Sequence, residues 1–169
     1  MRETAFLRLF DDHRAPLFRF AWRLTGSISD AEDIVQECFL SLLRPGSTYD
    51  PGRTPIRTYL YGAARNQWLK RQRRAALAAE TEADPATDRS PETELLAGEV
   101  QDAVAWAIGQ LPDRQREALI LAHYEQLPLA EIARILEIEV GAVKSRLERA
   151  RACLRETLAA YAPPQRSAK

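Results

Sequence analysis

The chain has 169 residues, a length that suits one ordinary domain or two small ones and excludes a large enzyme scaffold. Apolar residues make up 46% and charged residues 28% of it, which excludes a disordered chain and predicts a folded core with a soluble surface. The 24 basic and 24 acidic residues cancel, and a net charge of zero at first argues against a nucleic-acid binder.

The neutrality is a cancellation between three unequal segments. Residues 1–76 carry 13 basic and 8 acidic residues (+5), residues 77–99 carry 1 and 7 (−6), and residues 100–169 carry 10 and 9 (+1). The acidic segment contains Pro85, Ser90 and Pro91 and few large apolar residues, so it predicts a flexible linker. Basic side chains are concentrated on either side of it: Arg57, Arg65, Lys70, Arg71, Arg73 and Arg74, then Lys144, Arg146, Arg149, Arg151 and Arg155. We expect two basic surfaces on two small domains, with solvated charge that binds nothing as the alternative.

Helical periodicity runs through the first segment. Apolar residues at i, i+3, i+4 and i+7 predict four helices: two before Gly26, the second opened by Pro16, one over 31–44 after the N-cap residues Ser29 and Asp30, and one from Ile56 to Arg74. Residues 47–54 predict a loop. Beyond the linker, helices are predicted over 100–108, from Pro112 to Tyr124, and twice more. No alternating strand pattern competes, so the expected fold is all-α, with two small helical domains joined by a flexible linker.

The strongest motif lies within residues 128–155. Pro128 can begin a helix with the apolar stripe Leu129, Ile132, Ala133 and Leu136, and a second helix has the stripe Val143, Leu147, Ala150 and Leu154. A small residue at 133, an apolar residue at 138 and a β-branched residue at 143 suit two short helices that cross steeply, as in a DNA-binding helix-turn-helix. We predict that the second helix reads a major groove through Gly141, Ala142, Lys144, Ser145, Arg146, Glu148, Arg149 and Arg151.

Two residues leave this motif open to other interpretations. Glu137 occupies a turn position that often holds Gly because it favours positive φ, so strain or an altered turn is expected there. Glu148 could accept a hydrogen bond from a cytosine N4 or pair with Lys144 within the helix. A surface helix hairpin without a ligand is the alternative for the whole motif.

The helix from Ile56 combines basic and aromatic side chains. Aromatic rings stack on unpaired bases while Arg and Lys hold the backbone, which suits capture of a single strand. The candidates are Arg57, Tyr59, Tyr61, Arg65, Asn66, Trp68, Lys70 and Arg73, with ordinary core packing as the alternative for Trp68.

At this point the chain resembles a known family, the bacterial sigma factors of the extracytoplasmic-function (ECF) group. The segments that carry the resemblance are Leu111-Pro112-Asp113-Arg114-Gln115-Arg116-Glu117, Glu131-Ile132-Ala133 and Val140-Gly141-Ala142-Val143-Lys144-Ser145-Arg146-Leu147, similar to region 4. In the first half, Asp30-Ala31-Glu32-Asp33-Ile34-Val35-Gln36-Glu37 is similar to region 2.2, and Tyr59-Leu60-Tyr61-Gly62-Ala63-Ala64-Arg65-Asn66 to regions 2.3 and 2.4. The family often has Trp at the position of Tyr59 and an acidic residue at that of Lys70.

The resemblance implies a transcription initiation factor. Region 4 would read the minus-35 element and meet the β flap of core RNA polymerase, and the helix from Ile56 with the loop before it would bind the minus-10 element and hold a flipped base. The face with Asp33, Gln36, Glu37 and Leu40 would contact the β′ clamp helices, although the helix dipole alone would explain Asp33. An anti-sigma factor is a further implied partner. The implied domains are 1–76 (region 2), 77–99 (linker), 100–162 (region 4) and 163–169 (disordered tail).

The sequence contains no arrangement that predicts catalysis, a metal or a cofactor. Cys38 and Cys153 are expected as buried reduced thiols, and His13 and His123 lie far apart without ligand spacing. Without a secretory pattern or a membrane-spanning run, a cytoplasmic protein that does not insert into membranes is expected. The rivals are a helix-turn-helix regulator that does not associate with polymerase core, including a response-regulator-like factor, and a helical bundle that binds RNA.

A final hypothesis concerns the acidic linker. Its carboxylates could compete with DNA for the basic helices in the free factor. Neutralising Glu80, Glu82 and Asp84 would then raise DNA binding in the absence of core polymerase.

Overall fold

The structure, a computed structural model, describes residues 3–81 and 99–159. Within these ranges every regular element is helical. The predicted tail and most of the predicted linker lie outside the described residues. The competition hypothesis falls outside them too, because it concerns Glu82, Asp84 and the side chain of Glu80.

The first domain has three helices instead of the four predicted, α1 (Glu3–Thr25), α2 (Ile28–Leu43) and α3 (Ile56–Thr81). The predicted break at Pro16 is wrong, because α1 continues through this residue. The apolar stripe of α1 keeps its phase across the proline: Phe6, Leu9 and Phe10 precede it, and Leu17, Phe20, Ala21 and Leu24 follow. The packing of this stripe against α2 and α3 outweighs the loss of one backbone hydrogen bond.

Local signals set the ends of these helices. Gly26, with φ of 69°, closes α1, and its N–H donates to the Trp22 carbonyl oxygen at 2.7 Å. The N-cap of α2 is Ser27, not the predicted Ser29 or Asp30, since its side chain accepts from the Asp30 N–H at 3.2 Å. The loop over 47–54 is present as predicted, and α3 runs on to Thr81, past the predicted Arg74. Leu43, the last residue of α2, is exposed.

The second domain contains α4 (Glu99–Gly109), α5 (Asp113–Leu119), α6 (Leu129–Leu136) and α7 (Val140–Ala159). The predicted helix to Tyr124 is present, but its last turn is a π-helix over Ile120–Tyr124. Helix α7 packs against α4, α5 and α6, and its stripe of Val143, Leu147 and Ala150 is buried as predicted.

The two domains also contact each other. Helix α3 of the first domain packs on α6 of the second, and α1 touches the π-helical turn. This contact covers part of α3 and decides which candidate site residues are accessible.

Candidate nucleic-acid and polymerase interfaces

One face of α3, the predicted strand-binding helix, meets three carboxylates of the second domain. Arg57 Nη2 and Thr58 Oγ1 each donate to Glu131 Oε2 at 3.3 Å. Tyr61 Oη donates to Glu125 Oε2 at 2.5 Å, and Arg65 Nε donates to Glu117 Oε2 at 2.8 Å. The first domain adds Arg23, whose guanidinium lies 3.5 Å from Glu125 and 4.1 Å from the centre of the Tyr124 ring.

Two aromatic rings of α3, those of Tyr61 and Trp68, are not available to bases in this arrangement. Tyr61 is 3% and Trp68 is 2% exposed, and the Arg116 guanidinium lies 5.9 Å from the centre of the Trp68 ring. Burial, reinforced by the hydrogen bond to Glu125 and by its charge, raises the pKa of Tyr61 above its usual range, so its hydroxyl stays a donor. The Trp68 ring therefore lies in the core, which was the alternative to base stacking for this residue.

The remaining members of the predicted strand-binding set differ in exposure. Asn66, Lys70 and Arg73 are exposed. Tyr59 is half-buried, and its ring centre lies 5.0 Å from that of Tyr49 in the preceding loop. The ring most accessible for stacking therefore lies where α3 meets the loop before it.

Helix α7 presents the surface predicted for a recognition helix. Gly141, Ala142, Lys144, Ser145, Glu148, Arg149 and Arg151 are exposed, while Val143, Leu147 and Ala150 face the core. The structure records no ion pair between Glu148 and Lys144 among its salt bridges, so the carboxylate points to solvent beside the basic side chains. We call Lys144, Ser145, Glu148 and Arg149 the recognition face.

Of the residues of α7 predicted to contact DNA, Arg146 points toward the protein interior. Its Nη1 donates to Glu117 Oε1 at 2.8 Å, and its side chain is 17% exposed. Because Arg65 binds the other oxygen of the same carboxylate, Glu117 joins a candidate DNA-binding arginine of each domain. Glu117 itself is 1% exposed.

The turn of the helix-turn-helix adopts the backbone predicted for it. Glu137 has φ of 56° and ψ of 44°, the left-handed conformation that usually selects Gly. The Ile138 N–H donates to the Ala133 carbonyl oxygen at 3.0 Å, so α6 ends in a Schellman motif with a glutamate at the strained position.

The face of α2 predicted to dock on polymerase borders an apolar groove. Asp33, Gln36 and Leu40 are exposed, and Glu37 is half-buried. Gln36 and Leu40 line a groove of about 860 Å³ between α1 and α2, together with Phe6, Phe10 and Phe39. Asp33 lies 3.5 Å from Arg71 of α3, and Glu37 lies 3.4 Å from Arg44, so both acids are partly neutralised by their own domain.

The residues that sequence reasoning missed are the carboxylates opposite α3. Glu117 and Glu131 lie in segments that resemble region 4, but that resemblance implied no contact with α3 for them or for Glu125. Each of the three carboxylates lies more than 50 positions from its partner on α3. The one available signal was Glu117, a charged residue at a core-facing position of a predicted helix, which requires a buried partner.

Chemistry of other kinds finds little support in the described residues. Cys38 is buried, and burial together with the charge of Glu37 raises its pKa to about 12, whereas Cys153 is half-buried. Within 3–81 and 99–159 no group of three or more His, Cys, Asp or Glu side chains could hold a metal ion. Nor does any helix in that part of the chain have the length and apolar character needed to cross a membrane.

Comparisons with known proteins identify the family. The family model described as Sigma-70 region 2 matches residues 9–77, and that described as Sigma-70, region 4 matches residues 101–154. The chain is 34% identical over 160 residues to the ECF RNA polymerase sigma factor SigL of Mycobacterium tuberculosis, covering 92% of this chain and 90% of the relative. It is 29% identical over 169 residues to SigW of Bacillus subtilis, with the same coverage.

Solved structures agree in fold. The sigma factor RpoE, in complex with the anti-sigma factor NepR from Bartonella quintana, matches with a TM-score of 0.75 at 24% identity, over 92% of this chain and 97% of that one. CnrH, in complex with the cytosolic domain of CnrY, matches with a TM-score of 0.71 at 27% identity, over 95% and 92%.

The chain therefore belongs to the sigma-70 family of bacterial RNA polymerase sigma factors, in its ECF group. Members of this family are non-enzymatic transcription initiation factors that bind core RNA polymerase and promoter DNA.

Proposed function

We propose that the recognition face of α7 reads the minus-35 element in the major groove. The observation that carries this proposal is the clean division of α7, with Val143, Leu147 and Ala150 buried while Lys144, Ser145 and Arg149 are exposed at its N-terminal half. Recognition helices meet base edges with their N-terminal residues, and short or basic side chains suit that approach. Gly141, Ala142, Arg146, Glu148 and Arg151 complete the contact set.

Helix α3 and the loop before it bind the minus-10 element. Arg57, Arg65, Lys70 and Arg73 hold the backbone of the melted strand, and Tyr59 and Tyr61 offer rings to unpaired bases. Asn66 lies on the same helix and supplies an amide for a base edge. Trp68 completes the set, although its ring is 2% exposed in this arrangement.

The docking surface for core polymerase is the exposed side of α2 with its groove. Leu40 and Gln36 line an apolar depression, and Asp33 and Glu37 supply charge at its edge, a composition that suits a protein partner. The β′ clamp helices occupy this surface, and the second domain meets the β flap. The domains are assigned to 1–76 and 100–162, with an acidic linker over 77–99 and a disordered tail over 163–169.

The decisive experiment is in vitro transcription with core enzyme. The factor with core polymerase should select promoters from a random library and start transcription at fixed distances from paired elements. A factor that binds duplex DNA but neither binds core nor directs a start site would be the helix-turn-helix regulator instead.

An anti-sigma factor is the proposed regulatory partner, and the cytoplasm is the proposed location. Support comes from the solved structure of the sigma factor RpoE in complex with the anti-sigma factor NepR, and from that of CnrH in complex with the cytosolic domain of CnrY. Co-purification from cells, followed by loss of transcription on adding the captured protein, tests this partner.

A further inference from the structure

One arginine of α3 bridges two carboxylates of α2. Arg71 Nη1 donates to Asp30 Oδ1 at 3.1 Å, and Arg71 Nη2 lies 3.5 Å from Asp33 Oδ2. Because Asp30 and Asp33 are three residues apart on one side of α2, the planar guanidinium can meet both of them with different nitrogens. The helix that carries the candidate strand-binding residues is thus joined to Asp33, a member of the candidate docking set.

The first of these carboxylates holds the guanidinium in place. Asp30 lies in the first turn of α2, where its N–H donates to Ser27 Oγ at 3.2 Å and its negative charge suits the helix dipole. The Arg71 side chain is 34% exposed, against 49% for Asp30 and 58% for Asp33. Arg71 is therefore the least exposed member of the bridge, and contacts within its own domain set its orientation.

The second carboxylate is held through one oxygen. Asp33 Oδ2 faces Arg71, and within the described part of the chain the structure records no hydrogen bond or ion pair to Asp33 Oδ1. An ionised carboxylate accepts hydrogen bonds through both of its oxygens. A lysine, an arginine or a backbone N–H of a docked protein can therefore bind Oδ1 while Arg71 keeps Oδ2.

The other acid of the docking surface has no comparable anchor. Glu37 lies 3.4 Å from Arg44, and the Arg44 side chain is 64% exposed. An isolated exposed pair of long side chains gains little, because holding both in one geometry costs side-chain entropy. Asp33, beside an arginine that a second carboxylate holds, is the acid of this surface whose orientation is fixed in advance.

We propose that Arg71 is a positioning residue for polymerase docking, which holds Asp33 in the orientation that core polymerase binds. This inference rests on the proposed function, because it takes the exposed side of α2 as the docking surface. A side chain that is oriented beforehand loses less conformational freedom on binding, so the bridge raises the affinity for core. Arg71 acts through Asp33 and need not touch the polymerase itself.

The test is a double-mutant cycle for binding of the full-length protein to core polymerase. Arg71→Met removes the guanidinium but keeps an apolar stem, and Asp33→Asn removes the charge that the guanidinium orients. Fluorescence titration of core gives the dissociation constants of the wild type, both single variants and the double variant. We expect Arg71→Met to weaken binding about two- to tenfold in the wild-type background, and less than about twofold in the Asp33→Asn background.

A merely structural arginine would give a different pattern. Its loss would weaken core binding by the same factor in both backgrounds, and equal factors overturn the proposal. The control Arg74→Met removes the same charge from an exposed position three residues further along α3, and it should leave the affinity for core unchanged. An equal loss in Arg74→Met and Arg71→Met would make net charge the cause and would also overturn the proposal.

The single variants distinguish failure of this proposal from failure of the proposed function. If Leu40→Asp and Asp33→Asn both bind core as tightly as the wild type, the docking surface itself is wrong. If Leu40→Asp weakens binding but Asp33→Asn or Arg71→Met does not, the docking surface stands and only the positioning role of Arg71 is refuted.

Discussion

Glu137 is the residue at which local sequence preference and the required backbone conflict most clearly. A left-handed conformation costs a residue with a Cβ roughly 1–2 kcal/mol, and the turn between α6 and α7 imposes that conformation. The sequence indicated both the position and its preference for positive φ, and the structure confirms them. The side chain lies at the surface, so no packing interaction explains the choice of glutamate.

We predict that Glu137→Gly stabilises the second domain. Relief of the strain outweighs the extra backbone entropy that Gly loses on folding, for a net gain of about 0.5–1 kcal/mol in the free energy of unfolding. Urea denaturation followed by circular dichroism measures this gain. Glu139→Gly is the control, since Glu139 does not have positive φ; it should give no stabilisation, and a gain of equal size there would refute the strain argument.

Cys38 and Cys153 should differ strongly in the rate at which they react with a thiol reagent, because Cys38 is buried and Cys153 is half-buried. With a pKa of about 12, Cys38 holds on the order of one thiolate in 10,000 molecules at pH 8, and it is buried besides. We expect one fast thiol per native chain with Ellman's reagent and two after denaturation. Cys153→Ser should remove the fast phase; a fast phase that persists in this variant contradicts the burial of Cys38.

At the scale of elements, hydrophobic periodicity predicted most helices. In α1 the continuous apolar stripe outweighed the local signal of Pro16 to begin a new helix. Pro16 is a strong local signal to begin a helix, yet α1 runs through it because the apolar stripe on either side packs on the same two helices. The sequence reported the local cost of the proline but not the tertiary contacts that offset it. The apolar stripe of α7 was predicted correctly because its period is unbroken.

For the recognition helix, we predict that Arg149→Ala weakens binding of the holoenzyme to minus-35 duplexes by about 1–3 kcal/mol if the side chain contacts a base. Lys144→Ala should weaken binding across sequences and reduce the salt dependence by about one phosphate contact. Electrophoretic mobility shifts over a salt series measure both. The control Arg155→Ala removes one positive charge further along α7 and should bind the minus-35 duplex normally. The affinity for core polymerase should be unchanged in every variant.

For the docking face, we predict that Leu40→Asp weakens core binding while leaving binding to a minus-35 duplex intact. Leu40 is 40% exposed at the edge of the groove between α1 and α2, and a carboxylate there would be desolvated by the partner. A loss of about tenfold or more, equivalent to 1.4 kcal/mol or more, is expected by fluorescence titration of core. The control Ile28→Asp, on the same helix and 57% exposed, should bind core normally. An equal loss of core affinity in both variants would contradict the assignment of the docking face to Leu40.

At the scale of the whole molecule, composition and motifs predicted two helical domains but not how they meet. The hydrogen bonds that join α3 to the second domain link residues separated by 52 to 74 positions, and no periodic pattern encodes such a pairing. The segment charges of +5, −6 and +1 directed attention to the linker as the source of competing acids. In the described residues the acids that oppose Arg57, Tyr61 and Arg65 of α3 belong to the second domain, where they are scattered among a nearly balanced set of charges.

The shared carboxylate of Glu117 also bears on the affinity of the chain for DNA of any sequence. Such affinity depends on the number of phosphates that a protein can neutralise. Arg65 and Arg146 each lie 2.8 Å from Glu117, so neither guanidinium can neutralise a phosphate without giving up this ion pair. In this arrangement the chain therefore offers fewer cations to nonspecific DNA than its count of basic residues suggests.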